Sequence, residues 1–302
     1  MRFKHPLLWI CWLFLLPYQA FSNDAEDLQL QQALDAPLVS PKAAQLRWMS
    51  EQYPPYNYTD KLGNARGIAV EMLTALWDKT GAPKQPIEFL PWARSYALLL
   101  RKPKTALFSM TYTPSREQLF RFVGPIIATQ IVLLAPKSAG LQIANITDIA
   151  ALQIGVVRDD IGESLLTELG IPEDLLTSSN QADNLIQLLH RGRVDAIAYS
   201  YDVAAWNMHQ AGIDPGQYES IYTLLQGELG FAFHAQTPDH LIDGLQQALV
   251  EIEASGDADR IRQKYLKEGG PVSSGFHPQA YSQESPQESP QESPQEPSNT
   301  PP

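Results

Sequence analysis

The stretch Ser109–Glu117, SMTYTPSRE, reads as the end of a strand running into a helix start. Thr113 takes the N-cap position, Pro114 the first helical position, and Arg116 falls in the first turn. A helix N-terminus carries positive partial charge, so a cation there is disfavoured by roughly 0.3–1 kcal/mol. Such an arginine calls for a negative partner. A neighbouring acid such as Glu117 would serve, and so would an anion bound from outside.

Outward from this point, strands and helices alternate. Leu46–Met49 reads as a strand, followed by the turn-rich YPPYNYTDKLGN. Ile68–Lys79 is an amphipathic helix closed by Gly81. Ile87–Leu90 and Ala106–Phe108 are strands either side of a helix over Ala93–Leu100, and an apolar strand follows over Ile131–Ala135. A second set comprises the strand Ile154–Val157, helices Ile161–Leu169 and Ala182–Arg191, and strands Ala196–Tyr199 and Gly230–Phe233. Two closing helices span Pro238–Glu253 and Ala258–Leu266. This alternation predicts an α/β protein built as two units, each with a parallel sheet. In such sheets ligands gather at the carboxyl ends of strands.

The 302-residue chain is 44% hydrophobic and 19% charged, as a globular protein is, except at its ends. Residues 1–22 combine Arg2 and Lys4, an apolar run from Leu7 to Leu16, and Ala20-Phe21-Ser22, the pattern of a cleavable signal peptide. That run is too short for a bilayer core of about 30 Å. Residues 23–44 read as a linker. Residues 269–302, with QESP at 283, 287 and 291, read as a disordered tail rich in Pro, Gln, Glu and Ser. Cys11 is the only cysteine and lies in the leader, so disulfides, thiol nucleophiles and cysteine metal sites are excluded beyond it. The formal charge of −12, more negative still once Arg2 and Lys4 are gone, excludes a nucleic-acid role. The six histidines show no metal-ligand spacing, and no GxSxG, Walker A or GxGxxG motif occurs. No cofactor, metal or catalytic residue is assigned.

Three pieces converge at the strand ends: the aromatic loop Tyr53-Pro54-Pro55-Tyr56-Asn57-Tyr58, the pair Pro91-Trp92, and Ser109, Thr111 and Arg116. Two hydroxyls, helix amides and a guanidinium suit a carboxylate. The aromatic loop equally suits a packed core.

With these motifs in order, the chain resembles the periplasmic solute-binding proteins of family 3, the polar amino-acid-binding type that serves ABC transporters. The resemblance runs from Leu46 to Leu266. It rests on YPPYNYTDKLGNARGIAVEML, PW, SMTYTPSRE followed by FRFVGP, GRVDAIA and GELGFAF. It implies a two-lobed α/β fold, the type II periplasmic-binding-protein fold, with two hinge strands. Lobe 1 would comprise 45–125 and 230–268, and lobe 2 131–224, with hinges at 126–130 and 225–229. It also implies that Thr111 and Arg116 hold a ligand carboxylate, that Tyr53 packs on the ligand, and that backbone near Gly162 reaches in from lobe 2. The implied setting is the periplasm, and the implied partners are a small carboxylate-bearing ligand and a membrane permease or receptor, with the protein a monomer.

One departure concerns the ligand. Members that bind α-amino acids carry an aspartate for the α-ammonium where this chain, aligned through Asp195-Ala196, has Ser200. Asp202, Asp160, Asp159 or Glu228 would replace it, or the ligand lacks an ordinary α-ammonium. With Tyr53, Tyr56, Trp92 and Tyr201 nearby, an aromatic-rich cleft is expected. An alternative of the same fold is a periplasmic dehydratase like cyclohexadienyl dehydratase. Its acid or base would come from Glu71, Asp159, Asp160, Asp202 or Glu228. A ligand-sensing partner of a receptor is a third.

Overall fold

The computed structural model describes residues 45–267, and the expected signal peptide, linker and tail lie outside the described residues. The strands are β1 Arg47–Ser50, β2 Tyr58–Thr59, β3 Ala65–Arg66, β4 Ile87–Phe89, β5 Thr105–Thr111, β6 Phe120–Pro136, β7 Ile154–Val157, β8 Leu176–Ser179, β9 Ala196–Ser200 and β10 Tyr218–His234. The helices are α1 Ile68–Thr80, α2 Trp92–Arg101, α3 Pro114–Glu117, α4 Ile146–Ile149, α5 Ile161–Glu168, α6 Ala182–His190, α7 Tyr201–Gln210, α8 Asp239–Ala254 and α9 Asp257–Lys267.

Eight strands run in the order β4-β1-β5-β10-β6-β9-β7-β8. At either end the pairing is parallel, β4 and β5 on β1, and β8 and β9 on β7. These are the two α/β sets expected from the sequence. Their separation into independent parallel sheets is corrected: β10 pairs antiparallel with β5 and β6, and β6 antiparallel with β9. At about 3.3 Å per residue, each 17-residue strand is roughly 55 Å long, enough to run through both lobes.

Only the apolar ends of these two strands were legible in sequence. Register shifts at Ser220/Tyr222, Thr223/Leu225 and Leu229/Phe231 break the alternation that marks a strand. Helix α7 was also missed. It begins directly from β9, with Ser200 serving as both the last strand residue and the helix cap, so no turn separates them.

The expected helix α1 ends as read, with Gly81 left-handed at φ 66 and its N–H on the Trp77 carbonyl. The main core gathers Trp48, Phe231 and Phe233 in edge-to-face contacts at 5.7–6.3 Å between ring centres. A smaller core around Leu133, Ile154 and Leu166 serves the β7 side alone.

Candidate ligand-binding cleft

Arg116 is 4% exposed and lies against two aromatic faces, with its guanidinium carbon 5.4 Å from the Trp92 ring centre and 5.7 Å from that of Tyr96. Nη1 donates to the Thr111 carbonyl at 3.4 Å, while Nη2 is buried without a partner among the described residues. The aromatic faces are an ordinary setting for arginine. A buried guanidinium nitrogen without an acceptor is not, because the missing hydrogen bond costs about 1–3 kcal/mol.

The sequence explanation for this arginine needs one correction. Helix α3 is a single turn of four residues, so little dipole opposes the cation. Thr113 does cap it, its hydroxyl accepting from the Arg116 N–H at 3.2 Å, and the Glu117 N–H goes to the Thr113 carbonyl. The Arg116 and Glu117 amides are therefore already used, which narrows the expected helix-amide contribution to an anion site. Hydroxyl and guanidinium remain.

Ser109 supplies the hydroxyl. It is the extra residue of a bulge in β5: Phe108 pairs with Phe231 and Met110 with Gly230, leaving Ser109 between them at φ 62. A non-glycine residue in the left-handed region costs about 1–3 kcal/mol and persists where surrounding structure holds it. The Ser109 Oγ is buried and has no partner among the described residues. Thr111, also buried, ends the same strand.

The aromatic loop meets the second lobe. Tyr53 packs edge-to-face on Tyr199 of β9 at 5.7 Å and against Tyr56 at 5.5 Å. The Tyr56 hydroxyl donates to Asp202 Oδ2 at 3.1 Å. Trp92 Nε1 donates to the Asp159 carbonyl at 2.7 Å, and Tyr58 lies against Trp206 of α7 at 5.8 Å. The loop is therefore packed into the protein and reaches Tyr199, Asp202 and Trp206 of the second lobe.

Asp160 is 5% exposed at the N-cap position of α5, where its side chain makes no capping bond. Burial pushes its carboxyl above the ordinary range, and the Arg116 charge opposes the shift. Glu51, which the sequence reading passed over, belongs to the same group. It borders a cavity of about 250 Å³ lined also by Gln52, Leu90, Asn180 and Asp183. Although part of its surface reaches that cavity, desolvation holds its carboxyl well above the usual range, with Asp160 adding and Arg116 subtracting. Tyr199 was missed too: it is 1% exposed and its hydroxyl has no partner among the described residues. The only sequence signal for either was position, Glu51 next to β1 and Tyr199 next to Ser200.

The remaining expected residues divide. Ser200 is fully buried in β9, close enough for its hydroxyl to stabilise the charged form of Tyr53, although burial dominates and raises that phenol well above its usual value. Gly162 is needed for packing: a Cβ there would lie 2.2 Å from the Ala198 carbonyl oxygen. Asp202 is committed to Tyr56. Glu228 is exposed on β10, and Glu71 accepts from Tyr265 and Lys264 of α9 at 2.5 Å each. These last two are set aside as cleft acids. Among the described residues no group of three or more His, Cys, Asp or Glu is arranged to hold a metal, and no helix is long and apolar enough to cross a membrane.

Two α/β lobes threaded by a pair of long antiparallel strands, with side chains of both lobes meeting in a polar cleft, define the two-lobed type II binding-protein fold. The model of the bacterial extracellular solute-binding proteins, family 3, matches residues 47–268, and the chain belongs to that family. It is 24% identical over 221 residues to the arginine-binding extracellular protein ArtP of Bacillus subtilis (strain 168), covering 72% of this chain and 84% of that protein. Among solved structures it resembles a histidine kinase sensor domain with similarity to periplasmic binding proteins (TM-score 0.65, 18% identity, 74% of this chain and 96% of that one). It also resembles the arginine-, lysine-, histidine-binding protein ArtJ of Geobacillus stearothermophilus (TM-score 0.62, 21% identity, 76% and 97%).

Proposed function

We propose that this protein captures a small carboxylate-bearing, amino-acid-like ligand between its lobes, outside the cytoplasmic membrane, and delivers it to an ABC permease. The observation that carries the reading is Arg116: buried, stacked against Trp92 and Tyr96, with Nη2 unpaired among the described residues and the unpaired Ser109 hydroxyl from the neighbouring strand bulge. A carboxylate answers both needs with charge-assisted hydrogen bonds.

In this reading lobe 1 comprises 45–125 and 230–268, and lobe 2 131–224. The chain crosses at 126–130 and 225–229, where β6 and β10 pair from Ile127–Leu229 to Ile131–Leu225. Short two-stranded crossings suit hinge closure around a ligand. Ser109, Thr111 and Arg116 hold the carboxylate, and Tyr53, Tyr56 and Trp92 wall the cleft from lobe 1. Asp160, Ser200 and Asp202 face them from lobe 2. Arginine is the first ligand to try, because a curated relative is named for binding it.

Titration calorimetry with L-arginine tests the assignment. Arg116→Ala is expected to lose about 2–5 kcal/mol of binding, as for truncation of one partner of a buried charge pair. Unchanged affinity sinks it. A sensing role is the second reading, favoured by the resemblance to a kinase sensor domain. Cross-linking in cells separates the two, since transport requires capture of a permease and sensing of a receptor.

A further inference from the structure

We propose that α9 ties the aromatic cleft loop to the hinge, with Arg262 and Tyr265 as its positioning residues. Arg262 holds the lobe 1 end of the β6 crossing, and Tyr265 holds the helix start on which the loop Tyr53–Tyr58 rests. This depends on the reading of 126–130 as a hinge crossing, and on no particular ligand.

The crossing begins at a gap in the sheet register. β6 pairs with β10 at Val123–Phe231 and again at Ile127–Leu229, so Gly124, Pro125 and Ile126 stand opposite the single residue Gly230. Backbone groups outside a ladder need partners elsewhere. Side chains of the two closing helices supply them. Gln246 of α8 takes both polar groups of Gly124, accepting from its N–H and donating to its carbonyl at 2.9 Å each. Arg262 Nε donates to the Ile126 carbonyl at 2.9 Å. The guanidinium is itself fixed from behind: Nη1 donates to Glu253 at 3.0 Å and to Asp259 at 3.1 Å, and Nη2 donates to Glu253. The hinge root is therefore positioned by Gln246 and Arg262 where the sheet does not position it.

The same helix also reaches the cleft wall. Tyr265 follows Arg262 by three residues, about one turn along α9, and is 2% exposed. Its hydroxyl accepts from the Gly67 N–H at 3.0 Å and donates to Glu71 of α1 at 2.5 Å. Gly67 opens α1 at φ 117, and a Cβ there would lie 2.3 Å from the Tyr56 carbonyl oxygen, so helix start and loop are in direct backbone contact. The Ile68 and Ala69 N–H groups donate to the Pro55 and Tyr56 carbonyls at 3.1 and 2.8 Å. The Tyr56 hydroxyl in turn reaches Asp202 of the second lobe.

A hydrogen-bonded helix is stiff over a single turn. A shift of the aromatic loop is therefore carried through Gly67 and Tyr265 to Arg262 and the Ile126 carbonyl. Gripping a ligand and bending the hinge share one support.

Hydrogen exchange followed by mass spectrometry on the purified, ligand-free protein tests this, with thermal melts to confirm folding. Tyr265→Phe keeps the buried ring and removes only the hydroxyl beside the loop. It is expected to speed exchange at least about threefold in residues 124–130 as well as in 53–68. Gln246→Ala, which acts at Gly124, is expected to speed exchange in 53–68 as well as in 124–130. Arg262→Ala should do both, and Arg262→Lys, which keeps a donor and the charge facing Glu253, should partly restore both. Helix α6 of lobe 2 should exchange as in the unmutated protein. Effects confined to each variant's own segment overturn the tie, and so does equal acceleration in α6, which would report general destabilisation. Saturating L-arginine is expected to slow exchange in 53–68 and 124–130 together, and protection of the loop alone overturns the tie. Absence of any response to L-arginine counts against that ligand only, and the ligand-free pattern still decides the tie.

Discussion

The indole nitrogen of Trp92, in the first turn of α2, donates to the Asp159 carbonyl at 2.7 Å across 67 residues of chain. The same ring faces the Arg116 guanidinium at 5.4 Å. Asp159 stands at φ 57 immediately before the buried Asp160. One side chain therefore touches Arg116 and the loop of the opposite lobe, so the ordering of one is tied to the position of the other.

Trp92→Phe tests that tie. Phenylalanine keeps a ring face beneath Arg116 but loses the donor to Asp159. The expected effect on L-arginine affinity is about 0.5–1.5 kcal/mol, the net worth of one hydrogen bond. Scattering should report a more open average form at subsaturating ligand, with thermal stability lowered by the smaller buried ring and the lost bond. Identical scattering and affinity would remove the closure role.

Ser109 separates strain from binding. Ser109→Gly relieves the left-handed backbone and is expected to raise stability by up to about 1 kcal/mol, while its missing hydroxyl weakens carboxylate binding by about 1.5–3 kcal/mol. Ser109→Ala keeps the strain and loses the hydroxyl, so it should match the glycine variant in affinity but not in stability. Thermal melts and calorimetry on the pair decide it.

The raised carboxyls of Glu51 and Asp160 set a pH dependence whose sign is definite. Burial is the leading cause for both; Arg116 opposes the shifts, Glu163 adds to that of Asp160, and the protonated Tyr53 and Tyr199 hydroxyls lie close by. A raised folded-state pKa means the native state binds more protons than the unfolded chain. The ligand-free protein should therefore lose stability as pH rises from the ordinary carboxylate range, near 4, through the raised values. L-arginine affinity should move the other way, falling on acidification as the acids become neutral. Glu51→Gln and Asp160→Asn should flatten both profiles in melts and titrations run upward from about pH 4, where ordinary carboxylates titrate.

Ser200→Asp gives the sharpest contrast with expectation from sequence. Read from the chain alone, an acid there either restores a missing ammonium partner or does little or harm because another carboxylate already serves. In the fold, Ser200 is fully buried beside Tyr53, and the carboxyls of Asp160 and Glu51, both raised by burial, already act on that Tyr53 phenol. The variant is expected to lose stability by several kcal/mol from placing a carboxylate at a fully buried position, and to gain no amino-acid affinity. Tighter L-arginine binding with an unchanged melting point contradicts this.

Sequence by itself determined the parts whose causes are local. Gly81 marks the end of α1 because only a residue tolerant of positive φ caps there cheaply, and Thr113-Pro114 marks α3 because a hydroxyl and a fixed φ suit a helix start. The apolar runs at Ile154–Val157 and Ala196–Ser200 mark buried parallel strands, and the order of motifs around Arg116 named the fold family.

Tertiary structure decided what depends on partners far along the chain. The middle portions of β6 and β10 are strands because they pair with each other, not because of their own pattern, which bulges interrupt. Ser109 faces its special backbone state because the Gly230/Phe231 register forces an extra residue into β5, a fact without any trace in the serine itself. Glu51, Asp160 and Tyr199 stand 109 and 39 positions apart as successive pairs. Only the tertiary fold sets them within each other's field, where burial raises their pKa values and each charge acts on its neighbours.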